Sequence, residues 1–266
     1  MKVLSKLLVI ATASVVLSGC TGMYTKNGTP NDPWQGFNRG VFAFNDTLDH
    51  YALRPIAQGY QDVTPHPVRE GVGNFFNNLS DVGNTVNGVL QGNPAIAGTS
   101  FLRLLINSTL GVGGVLDPAG DMGIHQRSED MGKTLAAWGF KSGPFLMLPL
   151  LGPSDLRDTA GLPVDWYTNV ATYINNNYAK WGLYFVNLVN IRASLLANDN
   201  LVNGDRYIFI RDAWMQHRQF EIDGGKITQD PFAAGAGDFD TGDPASGSAS
   251  STGTQGNTPS TGQTSK

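Results

Sequence analysis

The chain has 266 residues and a formal charge of −4, and only 15% of its residues are charged while 41% are apolar, against roughly a quarter charged in ordinary soluble domains. The acidic balance excludes nucleic-acid binding, which needs a basic stripe along the phosphates, and it excludes a polybasic hold on an anionic bilayer. The shortage of charge predicts some surface that faces something other than water.

At the start, Lys2 and Lys6 flank an apolar run from Leu7 to Leu17, closed by Ser18, Gly19 and Cys20. Basic start, apolar run and small-residue cleavage site form an export signal. Cys20 is the single cysteine, so it makes no internal disulfide, and it stands where the mature chain would begin. Leu17-Ser18-Gly19-Cys20 resembles a bacterial lipoprotein lipobox, which predicts a covalent lipid on Cys20 after removal of residues 1–19. That removal takes away Lys2 and Lys6 and moves the formal charge from −4 to −6. Thr21 follows in place of the aspartate that retains such lipoproteins in the inner membrane, pointing to the periplasmic face of an outer membrane. Residues 20–30 are polar and small and are expected to form a lipidated tether.

The folded body is expected over residues 31–232. Asp32-Pro33 places a capping residue before a proline at the first helical position. Phe37, Val41, Phe44, Leu48 and Tyr51 then recur at helical steps, and this stripe is expected to be core, with membrane contact as the alternative. Asn45 and Asp46, poor helix formers, either bond a neighbouring helix or face water. Arg54-Pro55 is expected to end the helix. A second helix is placed from Pro67 with Val68, Val72, Phe75, Phe76 and Leu79 on one face. Asn93-Pro94 repeats the cap signature, and Ser128 to Asp130 open a short helix stopped by Gly139. Trp181, Tyr184, Leu188, Ile191 and Leu195 mark another helix, and about Asp205 to Phe220 the last. No paired β-branched runs with a tight-turn signal appear, so the prediction is all-α without hairpins of that kind. From 233 to 266 Gly, Ser, Thr, Ala, Asp and Pro dominate, a composition expected to be disordered.

Two apolar stretches resist a helical reading. Leu110 to Gly120 is glycine-rich, and Gly143 to Asp158 is bent by Pro144, Pro149 and Gly152-Pro153 into a hairpin or looped excursion. After the signal no apolar run approaches the ~20 residues of a spanning helix, so Phe101 to Leu116 and Pro144 to Leu151 are either core or interfacial segments. Gly143 to Asp158 runs from apolar to charged, matching first a lipid's tails and then its head group.

Residues 32–46 (DPWQGFNRGVFAFND), Pro67-Val68-Arg69, NFFNNL at 74–79, LQGNP at 90–94, INSTLGVGGVLDPA at 106–119, and the blocks at 132–139 and 143–158 together resemble the MlaA (VacJ) family of outer-membrane lipoproteins. The resemblance covers about residues 31–222. It implies a ring-like helical body with interfacial amphipathic helices, embedded in the inner leaflet of the outer membrane, with a central amphipathic channel that removes phospholipids mislocalised to the outer leaflet. It also implies trimeric porins and a periplasmic lipid carrier as partners, the carrier working with an ATP-driven inner-membrane transporter. By the same resemblance Asp32, Pro33, Phe37, Asn38, Arg39, Phe44, Asn45 and Asp46 belong to the family's N-terminal helix. The channel hairpin would comprise Gly143, Pro144, Phe145, Leu146 and Met147, then Leu148, Pro149, Leu150, Leu151 and Gly152, with Asp155, Arg157 and Asp158 at its base.

On the residues alone, Asp155, Arg157, Asp158 and Lys141 are candidates for a polar wall, or else a helix cap and a solvated cluster. Trp34, Trp138, Trp166 and Trp181 suit an interfacial belt or ordinary burial. No metal or catalytic set is expected. The four histidines lack H-E-x-x-H spacing, no G-x-S-x-G is present, and Leu116 replaces the third glycine of a dinucleotide fingerprint at 111–116. Apart from the lipid on Cys20, no cofactor is expected. A lipid-transport channel and a structural adaptor that binds porins without moving lipid are the two readings.

Overall fold

The structure is a computed structural model that describes residues 22–25, 28–201 and 204–225. The signal segment, Cys20 and the 233–266 tail lie outside the described residues. The described residues are helical apart from one small sheet: α1 (Gln35–Leu48), a π-helical turn (Asp49–Leu53), α2 (Arg54–Val63), α3 (His66–Leu90), α4 (Pro94–Thr109) and α5 (Pro118–Asp121). Then come α6 (Met131–Ala137), β1 (Phe145–Leu148), β2 (Gly152–Asp155), α7 (Leu156–Thr168), α8 (Asn177–Leu195) and α9 (Arg206–Ile222). Among these residues no helix is long and apolar enough to cross a membrane.

Several boundaries follow the local chemistry expected. Asn93 accepts a hydrogen bond from the Ile96 amide and Asp130 one from the Lys133 amide, each opening a helix. Gly139, at φ 93°, lies just past the end of α6. Two expectations are corrected. Asp32 does not cap α1, which starts at Gln35 without a side-chain cap. Its carboxylate instead accepts from Asn38 (2.8 Å), the Tyr207 hydroxyl and Arg211, a stronger set of partners drawn from α1 and α9. Pro55 does not end the helix either. The backbone shifts to the wider π register just before it, with the Arg54 amide reaching the Asp49 carbonyl, and so passes the proline's missing donor.

The largest correction concerns which face is inside. Phe37, Phe44 and Tyr51 are 60%, 55% and 77% exposed, whereas Asn38 on the same helix is fully buried. The same inversion holds elsewhere. In α3 the buried residues are Gly71, Asn78, Asp81, Asn84, Asn87 and Gly88. In α4 Arg103 and Asn107 are buried while Phe101, Leu102 and Leu105 are exposed. On α8 the Trp181, Leu188, Ile191 and Leu195 stripe is exposed, and all four tryptophans proposed for a belt or for burial stand exposed. Periodicity identifies an apolar face but not the medium that covers it.

Arg103 and Asp81 hold α3 to α4 at 3.3 Å, and Arg103 also makes two 3.0 Å bonds to Asp117. Burial raises the Asp81 carboxyl above its ordinary value, partly countered by Asn84 and Arg103. The two helices touch at Gly88, where an added Cβ would sit 2.6 Å from the Ala97 amide nitrogen.

Within the segment from 143 to 158, β1 and β2 form the hairpin that its prolines predicted, although no Asn-Gly or Asp-Gly turn is present. Phe145 pairs with Asp155 and Leu148 with Gly152, and the turn over 149–151 has Leu150 at φ 65° and leads into Gly152 at φ 87°. The outer edge of β1 is closed by side chains rather than by a third strand. The Asn38 amide donates to the Phe145 carbonyl (3.1 Å) and accepts from the Met147 amide (2.9 Å). Seven residues on, on the same face of α1, Asn45 repeats this with Leu148 and Leu150 at 2.9 Å each. Asp46 pairs with Arg206 at 2.8 Å, and Arg39 with Asp205 at 2.8 Å. Phe145 and Met147 point into a small apolar core with Met23, Tyr207 and Met215. Met23 is therefore docked on the body, and Asn31 bonds back to Gly22 and Met23, so this stretch is not a free tether.

Removing an inward amide should be far more damaging than removing an outward aromatic. Asn38→Leu leaves the Phe145 carbonyl and Met147 amide buried without partners and is expected to lower stability by about 2–4 kcal/mol. Phe44→Ser is expected to stay within about 1 kcal/mol of wild type in detergent while weakening retention by lipid vesicles. Denaturant unfolding in detergent and vesicle flotation check the pair.

Candidate functional site

A cavity of about 940 Å³ opens between α2, α3, α8 and the segment joining α4 to α5. Its walls are rich in side-chain amides, with Asn74 and Asn77 from α3 facing Asn187 and Asn190 from α8. Phe76, Leu110, Leu116 and Ile191 add apolar patches to the lining. A second cavity of about 240 Å³ shares Phe76, Ser80 and Asn187 with the first, so amide-bearing wall continues into it past Asn84 and Asn87. The combination is amphipathic, and its volume lies in the range of ligand pockets.

The fold fixes these walls through polar contacts. Tyr60 donates to Asn190 at 3.0 Å and Gln61 to the Ala193 carbonyl at 2.6 Å, joining α2 to α8. Arg192 grips Asp49 through two bonds of 2.6 and 2.9 Å, so the π-helical turn is tied to α8 as well. Gly111 and Gly114 of the 111–114 turn serve close packing. A Cβ on Gly111 would lie 2.5 Å from the Asn107 and Leu116 carbonyls, and one on Gly114 would lie 2.5 Å from Asn78.

The predicted hairpin residues lie elsewhere. None of residues 143–158 lines either cavity, because Asn38, Asn45 and the Phe145–Tyr207–Trp214 ring contacts hold the hairpin against α1 and α9. The polar-wall candidates at its base are buried in an ion-pair network. Asp155 caps α7 by accepting from the Asp158 amide (2.7 Å), and Arg157 bonds Asp155 (3.3 Å) and Asp158 (2.9 Å). Arg218 from α9 completes it through Asp158 (2.6 Å) and Asp130 (2.7 Å). So the capping expectation for Asp155 fits, while neither an open wall nor a solvated cluster does. Lys141 is exposed. Gly132 admits this network, since a Cβ there would meet Asp158 at 2.1 Å.

Sequence reasoning missed the α3 face, although it carried a readable sign. Gly71, Asn74, Asn78, Asp81, Asn84 and Gly88 recur at steps of three and four inside one helix. Asparagine is a poor interior helix residue, so a helical stripe of it marks polar contacts that repay the propensity. Arg103, Arg218 and Asp165 were likewise not singled out. Among the described residues no cluster of His, Cys, Asp or Glu is suited to hold a metal.

Three carboxyls, Asp130 and Asp165 at the smaller cavity and Asp155 at the base of the hairpin, are set apart by their neighbours. Burial raises Asp155 to about 7, with the Asp158 charge adding to it and Arg157 opposing it. Asp165, which accepts from the Met131 amide at 2.8 Å, is raised by burial to about 6. Burial would also raise Asp130, but the Arg218 hydrogen bond and charge outweigh it and hold that carboxyl below its usual value. Asp165 therefore binds its proton more tightly in the folded than in the unfolded chain. Its ionisation costs stability above about pH 6, and the cost fades as pH falls toward 3.8. Asp165→Asn keeps an acceptor for Met131, so the variant should melt higher than wild type at pH 8. That difference should shrink at pH 5, as thermal melts in detergent would show; an unchanged difference would contradict the assignment.

The model of the MlaA lipoprotein family matches residues 30–221. The intermembrane phospholipid transport system lipoprotein MlaA of Escherichia coli (strain K12) is 35% identical over 230 residues, covering 84% of this chain and 90% of that protein. The MlaA protein of Shigella flexneri shows the same identity and coverage. A solved structure described as the structural basis for maintenance of bacterial outer membrane lipid asymmetry superposes with a TM-score of 0.64 at 36% identity, covering 72% of this chain and 98% of that one. With the family model spanning the whole helical body, the chain belongs to the MlaA lipoprotein family.

Proposed function

We propose that this chain removes phospholipids from the outer leaflet of the outer membrane and passes them through its polar cavity to a periplasmic carrier, keeping the membrane asymmetric. The observation that carries the reading is the inversion of burial: amides and ion pairs inside, aromatics and leucines outside. An outer surface of this kind suits the hydrocarbon of a leaflet, in which the body would sit without a spanning helix. The cavity supplies what that hydrocarbon denies a head group. Moving a polar group into hydrocarbon unpaired costs several kcal/mol, and a wall of side-chain donors and acceptors lowers that barrier while the apolar patches receive the tails.

No bond is made or broken, so no nucleophile or general base enters this mechanism. Movement out of the wrong leaflet takes its direction from the acceptor. The acyl chains on Cys20 would deliver and orient the body, and its own apolar surface would hold it in the inner leaflet. Trimeric porins belong to the same proposal as partners that position the body. The 143–158 hairpin, clamped on α1, would act beside the path, with its exposed Leu150 and Leu151 in the hydrocarbon.

Two measurements test this. With an ordinary signal peptide, a Cys20→Ala variant should still sediment with membranes; a fully soluble monomer would refute the embedded body. Asn77→Trp, which fills the cavity and keeps the backbone carbonyl that Gln126 bonds, should raise outer-leaflet phospholipid to the level of a deletion strain while porin co-purification persists. Unchanged outer-leaflet lipid would favour an adaptor that binds porins and moves nothing.

A further inference from the structure

The charged groups around the larger cavity differ in how they are matched. Asp117 is committed to Arg103 and Asn107, and Glu70 pairs with His66 at 3.3 Å. Arg69, in the first turn of α3, lines the same cavity. Among the described residues it has no carboxylate within 4.0 Å, the exposed Asp121 of the same lining included. Its Nε–H is shielded from water and has no acceptor. Its charge acts on the Tyr60 hydroxyl, opposing the rise that burial causes there. Every other described arginine except the exposed Arg127, which lies outside both cavities, has a carboxylate partner. This fold matches arginine with aspartate almost everywhere, and it leaves one guanidinium unmatched on the wall of the 940 Å³ cavity.

A half-buried guanidinium with an orphaned donor carries unused binding capacity. The planar fork fits two oxygens of a phosphate, and such charge-assisted bonds are stronger than neutral ones. The adjacent walls supply amide donors from Asn74 and Asn77 and apolar contact from Phe76, Leu110 and Leu116. We infer that Arg69 is the residue that binds the phosphodiester of a glycerophospholipid head group in this cavity, with the tails directed along the apolar lining. The inference rests on the transport reading and gives its site a specific contact. A phosphodiester ligand follows rather than a diacylglycerol, because only the former brings the oxyanion that the guanidinium lacks.

The test uses the full lipidated chain, purified in detergent, stripped of lipid and exposed to micelles doped with 1-palmitoyl-2-oleoyl phosphatidylethanolamine or the matching diacylglycerol. Native mass spectrometry counts the bound lipid. Wild type should bind the phospholipid, and Arg69→Gln should weaken that binding by about 10–100-fold, the loss expected for a charge-assisted hydrogen bond. Diacylglycerol binding should be equal in both, Arg69→Lys should be intermediate, and Arg127→Gln should match wild type. Equal phospholipid binding by Arg69→Gln and wild type overturns the role of Arg69 while leaving the transport reading intact. Absence of phospholipid from the wild type overturns both. Binding of inorganic phosphate alone, abolished by Arg69→Gln, would make free phosphate the ligand and overturn the lipid assignment. Should Arg69→Gln fail to fold by circular dichroism, Arg69→Lys decides: wild-type affinity there overturns the bidentate contact.

Discussion

The Asn38 side chain is the contact on which the arrangement of α1, α9 and the hairpin turns. One amide offers a donor and an acceptor, and β1 presents a free carbonyl and a free amide at the matching spacing. A two-stranded hairpin alone is marginal in water, so this borrowed edge is what fixes it. Asp32 then binds the second Asn38 hydrogen and, on its other oxygen, Tyr207 and Arg211. Through that carboxylate the helix, the hairpin and the last helix share one network, and the small apolar core of Met23, Phe145, Met147, Tyr207 and Met215 closes over it.

The buried ion pairs need the same argument. Taking charges out of water costs several kcal/mol for each ion, and the mutual attraction returns that only with good geometry and further hydrogen bonds. Arg103 meets the condition with Asp81 and Asp117, and Arg218 with Asp130, Asp158 and Glu221. Such networks contribute little net stability compared with a packed apolar core, but they hold helices in fixed register without using the apolar side chains. Those side chains are thereby left for the outer surface. The interior amides and the exposed aromatics are two sides of one allocation.

Much of this was legible from residue order. The helix starts at Asn93 and Asp130 and the stop at Gly139 came from local capping chemistry, and the apolar excursion at 143–158 came from its prolines. The family resemblance came from ordered blocks across the body. What failed was whatever depended on the surroundings. Phe37, Phe44 and Leu48 form a correct stripe, yet its period is the same whether water-excluding protein or lipid covers it. The hairpin turn escaped because Leu150 takes a left-handed conformation usually reserved for glycine or asparagine. The cavity escaped because its walls come from segments far apart in sequence, although the asparagine stripe of α3 announced one of them.

The inverted interior also alters which changes the chain can absorb over generations. An ordinary core constrains volume and shape and accepts many hydrophobic exchanges. Here the constrained positions are defined by the direction of each donor and acceptor. An aspartate at position 38 would match the amide in size yet lose the donor that Asp32 and Phe145 require. On the outside, one large apolar residue can replace another at Phe37 or Leu188 with little consequence. Drift should therefore accumulate among the greasy residues and stall among the asparagines, the reverse of the pattern in a water-soluble helical protein.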